Sequence, residues 1–259
     1  MYSVTGRIRS IKQPRGGYIK PSEFKTIELN DGQVLNGKEN VHATIIGMTV
    51  DYLTRFMIGA DLSEAFKISI KGVILATKLG VITAQEESKK YLRGINGLDD
   101  DSIINACKMV TFDVWYRNLV NAPLAKTAKE INPDEATIEN IRTMVKRSVN
   151  FFDEYGPITV DGFTFEPNGY TETVSAGDGD FLTADTLWDF KVTKSKPTNK
   201  HTLQLLMYWI MGQHSGKPEY KNLTKLGIFN PRLNTVYLLD MGNVSAKTIA
   251  DVEKNVICY

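Results

Sequence analysis

Gly177-Asp178-Gly179-Asp180-Phe181-Leu182, then Thr186-Leu187-Trp188-Asp189-Phe190-Lys191-Val192, is the stretch on which the reading of this chain turns. Side chains on a strand alternate between faces, so Asp189 and Lys191 project together while Trp188, Phe190 and Val192 point to the opposite, apolar side. Only Thr183-Ala184-Asp185 separates the two segments, which demands a tight turn and brings Asp180 beside Asp189. Gln204 and Tyr208 stand four residues apart on a predicted helix and share one of its faces, so both reach the same strand-borne groups. Two carboxylates without His or Cys are hard oxygen ligands that suit Mg²⁺ or Mn²⁺ rather than zinc. Lys191 beside them would orient a water and offset developing charge. Asp178 shares the strand parity of Asp180, and Asp185 lies in the turn, so each is an alternative first ligand.

Outward from this stretch, residues beyond Gly156 read as four strands, a helix, two strands and a closing helix. Ile158 to Phe165 and Tyr170 to Val174 are expected to pair around Pro167-Asn168-Gly169, with Asp180 to Leu182 and Thr186 to Val192 as the next two strands. Thr198 to Gly212 has helical character. Lys225 to Phe229 and Thr235 to Leu239 form a predicted hairpin around Asn230-Pro231-Arg232, and Ser245 to Ile257 is predicted to be the last helix. This alternation specifies an α/β class with a central mixed sheet flanked by helices.

Upstream the rhythm differs. Residues 1 to 35 alternate in short pieces such as Ser3 to Arg9 and Phe24 to Leu29, broken by Gly16-Gly17 and Asn30-Asp31-Gly32, and read as short strands or an extended arm. The arm carries Arg7, Arg9, Lys12, Arg15 and Lys20 before any acidic residue, as a solvated edge or a phosphate-contacting arm would. From Val41 to Val120 the apolar residues fall at three and four spacing, which predicts three or four packed helices, with Leu62-Ser63-Glu64 and Asp99 to Ser102 as N-terminal caps. Glu135 to Tyr155 is one further amphipathic helix. We therefore divide the sequence into an N-terminal β arm and helical region, residues 1–130, and an α/β core, residues 131–259.

A chain of 259 residues, 42% hydrophobic and 24% charged, can bury a sizeable core and is neither disordered nor collagenous. Cys107 and Cys258 are too few for a disulfide scaffold, a cysteine-rich zinc site or a four-cysteine iron–sulfur cluster. No signal-peptide core and no run of about 18 apolar residues occurs, so the expectation is a cytoplasmic protein without a membrane partner. The net charge of +1 conceals a segregation. Residues 150–189 hold nine acidic residues and no Lys or Arg, whereas residues 190–232 hold eight basic residues and one acidic. Lys194, Lys196 and Lys200 directly follow the Asp189/Lys191 strand, where they would meet a nucleic-acid backbone.

The ordered pattern of Gly177 with Asp180, Asp189 with Lys191 and Gln204 with Tyr208 resembles the PD-(D/E)XK nucleases, in their RecB-like branch, which also includes the lambda-exonuclease-like enzymes. The resemblance covers residues 134–259. It implies a restriction-endonuclease-like core, DNA as partner and Mg²⁺ or Mn²⁺ as cofactor. It makes Asp180 and Asp189 metal ligands, the Phe190 carbonyl a third, Lys191 the catalytic lysine, and Gln204 and Tyr208 site residues. An upstream acid common in the family falls on Glu172, with Glu154 and Glu166 in reserve. The cysteine cluster of the iron–sulfur exonucleases is missing, and no Walker A sequence supplies a helicase motor. The expectation is thus a metal-dependent deoxyribonuclease, tilted toward exonuclease over endonuclease, acting in phage or bacterial DNA processing as a homo-oligomer or within a complex. The alternative is a catalytically silent DNA-binding or interaction module.

Overall fold

The computed structural model describes residues 1–259, which divide into two compact units: residues 1–29 with 152–259, and residues 30–151. This division differs from the 1–130 and 131–259 split. The N-terminal segment belongs with the sheet, and most of the long helix α8 (Glu135–Tyr155) belongs with the helical region.

The first unit is built on a mixed sheet of six strands. They are β2 (Lys25–Glu28), β3 (Val160–Phe163), β5 (Gly179–Leu182), β6 (Thr186–Phe190), β7 (Lys225–Asn230) and β8 (Thr235–Asp240), in the order β2-β8-β7-β6-β5-β3. Only β6 and β7 run parallel, joined through helix α9 (Asn199–Ser215) as a crossover requires. β7 and β8 form the expected hairpin, from Lys225↔Asp240 to Asn230↔Thr235. Leu182, Leu187, Leu226, Ile228 and Leu239 join the α9 residues Leu203, Leu206, Met207 and Ile210 in one buried core. On the other side of β5 and β6, Phe181 and Trp188 stack at 6.3 Å, covered by Phe152 and Tyr155 from the last turn of α8. The alternation read from the sequence is therefore observed, and both sheet faces are covered. Gly227 on β7 is required by close approach, since a Cβ there would lie 2.2 Å from the Trp188 ring.

Three local expectations are corrected. Val4–Ser10 is a helix, α1, and not a strand; Ser3 caps it by accepting the Gly6 N–H, and only Tyr2–Ser3 is extended, as β1. Val4 and Ile8 satisfy a helical i,i+4 spacing as well as a strand alternation, and burial of both against the core decides for the helix. The segment after β3 does not return as its partner. β3 pairs with β5, while β4 (Val174–Ala176) pairs in parallel with β1. Phe165 leaves the sheet to pack against Tyr170, Tyr208 and Tyr220. Arg7 of the basic arm donates to the carbonyls of Val256 and Asn255, tying α1 to the helical C-terminus formed by α10 (Ala246–Val252) and the turn after it.

The second unit is helical: α2 (Ala43–Met57), α3 (Leu62–Ala65), α4 (Lys67–Lys78), α5 (Ala84–Arg93), α6 (Asp100–Met109) and α7 (Asp113–Arg117), with the first 17 residues of α8. Asp99 caps α6 through the Ser102 N–H, as expected. α5 escaped the sequence reading because it is largely polar and buries only Ala84, Ser88 and Tyr91. The Asp113 carboxylate, 1% exposed, accepts from Tyr52 of α2, Ser69 of α4 and Arg117. α4 packs so closely on the turn that leads into α7 that a Cβ at Gly72 would meet the Phe112 carbonyl at 1.9 Å. No helix of the chain is long and apolar enough to cross a membrane.

Candidate active site

β5 and β6 place the two carboxylates. Their register pairs Phe181 with Trp188 and Leu182 with Leu187, and one further step sets Asp180 opposite Asp189, on the sheet face that α9 covers. The turn that the short spacing requires is closed by the Thr183 N–H on the Thr186 carbonyl and by Trp188 Nε1 on Thr183 Oγ1, both 3.0 Å. Asp180 Oδ2 accepts the Phe190 N–H at 2.7 Å. Because the N–H and C=O of a strand residue point to the same side, the Phe190 carbonyl is expected on the β5 side of β6, while the Lys191 N–H continues the ladder to the Phe229 carbonyl.

Asp189 is 4% exposed and only half satisfied. Its Oδ1 accepts Lys191 Nζ at 2.9 Å, and its Oδ2 is buried without a hydrogen-bond partner. An unpartnered buried carboxylate oxygen costs about 1–3 kcal/mol or more, a penalty a fold removes unless something else uses the atom. Burial opposes the charge on Lys191, but the carboxylates of Asp189 and Asp180 outweigh it and hold the ammonium above its ordinary pKa. Lys191 is therefore a fixed cation at neutral pH.

From α9, Gln204 Nε2 donates to the Tyr208 hydroxyl at 2.8 Å. Burial raises the Tyr208 pKa, and the charges of Asp189, Asp180 and Asp178 push the same way. With its oxygen accepting from Gln204, the phenol keeps its own proton available to donate. Asp180, Asp189, Lys191, Gln204 and Tyr208 thus form one constellation.

Glu172 does not join them. It is exposed in the loop before β4, and its carboxylate makes no hydrogen bond or ion pair, while Thr171 and Thr173 on either side anchor the loop to Ile257 and Tyr2. Glu154 and Glu166 are likewise exposed. Asp185 sits at the far end of β6, where Lys225 Nζ at 2.7 Å holds its pKa low, so it is engaged away from the site. Asp178 is exposed in the turn leading into β5, near enough to act on Tyr208.

His201, also on α9, is a residue the sequence reading passed over. It precedes Gln204 by three residues and Tyr208 by seven, on the same helical stripe. Burial and the nearby Lys191 ammonium lower its pKa, while Asp189 acts in the opposite sense. The signal was the helical spacing, legible once Gln204 and Tyr208 are accepted.

The donor set fits a hard divalent cation: Asp180, the orphaned Asp189 Oδ2 and the Phe190 carbonyl are all oxygens. No three His, Cys, Asp or Glu side chains converge anywhere into a ready cage. Mg²⁺ is commonly bound through one or two carboxylates and keeps several waters. The sequence matches no protein-family model and no curated protein, and the fold matches no solved structure.

Proposed function

We propose that this chain is a metal-dependent deoxyribonuclease that hydrolyses phosphodiester bonds, in the manner of RecB-like PD-(D/E)XK exonucleases. The observation that carries the reading is the buried, unpartnered Asp189 Oδ2 opposite Asp180, with the Lys191 ammonium fixed on the other oxygen. A Mg²⁺ or Mn²⁺ ion held by Asp180, Asp189 and the Phe190 carbonyl would supply Lewis acidity and an activated water. Lys191, protonated and oriented by Asp189 Oδ1, faces negative charge developing on the phosphoryl oxygens. The Gln204–Tyr208 pair fixes a phenolic donor beside the carboxylates. Lys194, Lys196 and Lys200, all exposed after β6, attract the DNA backbone in a salt-dependent way.

A DNA-binding or interaction module without turnover is the second reading, favoured by the lack of a third acidic side chain in the cluster, with Glu172 standing apart. Cleavage of end-labelled linear DNA and closed circular DNA with Mg²⁺, Mn²⁺ or EDTA, beside Lys191→Ala, separates them. Metal-dependent loss of linear DNA alone denotes an exonuclease, and nicking of circles an endonuclease. Equal inertness of wild type and variant on both substrates selects the binding module.

A further inference from the structure

His201 has no role in the chemistry derived so far, yet its setting is specific. It occupies the third position of α9, and its Nδ1 accepts the Thr198 N–H at 3.3 Å, closing the start of the helix. An imidazole accepting at Nδ1 in its neutral form carries its proton at Nε2. That Nε2–H has no acceptor within the protein and is not sealed from solvent. The ring is half-buried and near enough to Lys191 and Asp189 for both charges to act on it. Its stripe continues through Gln204 to Tyr208, and Lys200 is its exposed neighbour. A fixed N–H donor without an acceptor, on the helical stripe of Gln204 and Tyr208 and next to the exposed Lys200, is the chemistry of an anion contact.

We infer that His201 is a substrate-contacting residue whose Nε2–H donates to a phosphodiester oxygen of the DNA strand engaged by Lys191. This rests on the nuclease reading and adds a phosphate contact from α9 to it. A purely structural role, helix capping through Nδ1, is separable by substitution. His201→Gln keeps an acceptor for the Thr198 N–H and an amide donor, as in a capping box. His201→Glu keeps the cap acceptor but replaces the donor with a negative charge.

The experiment measures fluorescence anisotropy of a labelled duplex oligonucleotide in EDTA, steady-state cleavage in Mg²⁺, and thermal unfolding. His201→Glu is expected to weaken DNA binding by about tenfold or more and to raise KM in step, since a donor to a charged group is replaced by a repelling one. His201→Gln should stay within about threefold of wild type, and both variants should unfold near the wild-type temperature. DNA affinity and KM unchanged in His201→Glu, in a wild-type background that binds and cleaves, would leave His201 a cap and overturn the assignment alone. A wild type that binds DNA without cleaving it would overturn the nuclease reading while the anisotropy arm still decides the contact. A wild type that does neither overturns both.

Discussion

Asp113 and Asp189 are buried to nearly the same degree, 1% and 4% exposed, and their surroundings treat them in opposite ways. In the helical unit Asp113 is saturated: Tyr52 and Ser69 each donate at 2.5 Å and Arg117 at 3.4 Å, so the carboxylate links α2, α4 and α7. In the sheet unit Asp189 accepts Lys191 on one oxygen and leaves the other buried and bare. Burying a carboxylate is costly in either place, and only the helical unit offsets the cost within its own fold. The difference separates a buried carboxylate whose oxygens are engaged within the fold from one that leaves an oxygen bare. Burial alone makes no such distinction; the count of satisfied oxygens does.

Substitutions can break this contrast. Asp189→Asn and Lys191→Ala should each lower DNA cleavage at least about a thousandfold while circular dichroism and thermal unfolding stay near wild type. Full activity in either variant would remove the site. Asp113→Asn should do the reverse, costing about 1–3 kcal/mol in denaturant titrations because the amide keeps one accepting oxygen but turns an NH₂ toward a hydroxyl that donated to the other. A small loss there would mean that saturation is no guide to a structural role.

Asp31 sharpens the comparison through pH. Arg147, itself 6% exposed, donates to it at 2.6 and 3.0 Å and holds its pKa below the ordinary 3.8, with burial opposing. The folded state thus binds fewer protons than the unfolded state in that range, so the contribution is full above about pH 4 and is lost as pH falls through the depressed folded value. Asp31→Asn should cost about 2 kcal/mol at pH 6, and the gap to wild type should close in acid, as followed by urea unfolding at several pH values. The smallest effect expected is at Glu172. Glu172→Gln should leave cleavage and stability unchanged in the same assays, and a large activity loss would bring that exposed loop into the site.

Much of the sheet unit was legible because its decisive features are local. The parity of Asp189, Lys191 and Trp188, the tight turn at 183–185 and the hairpin at 230–235 all follow from neighbours in sequence. What was illegible depends on distant partners. Nothing around Val174 announces its parallel pairing with Tyr2, and nothing in Lys25–Glu28 specifies β8 over another edge. Val4 to Ser10 obeys two periodicities at once, so only the core could choose. Glu172 was chosen as the upstream acid that the resemblance implies, but the strand pair expected to carry it does not form, and the glutamate lies exposed in the loop before β4. His201 was passed over because a lone histidine has no local signature, whereas its stripe with Gln204 and Tyr208 does.

The contrast between the two aspartates is tested most directly by calorimetric titration of Mn²⁺ into wild type and into Asp180→Asn, Asp189→Asn, Asp178→Asn and Asp185→Asn. The expected result is metal binding in wild type, its loss in Asp180→Asn and Asp189→Asn, and near-wild-type binding in the other two. Wild-type Mn²⁺ affinity in Asp189→Asn would contradict the assignment, since the bare carboxylate oxygen would then serve no metal.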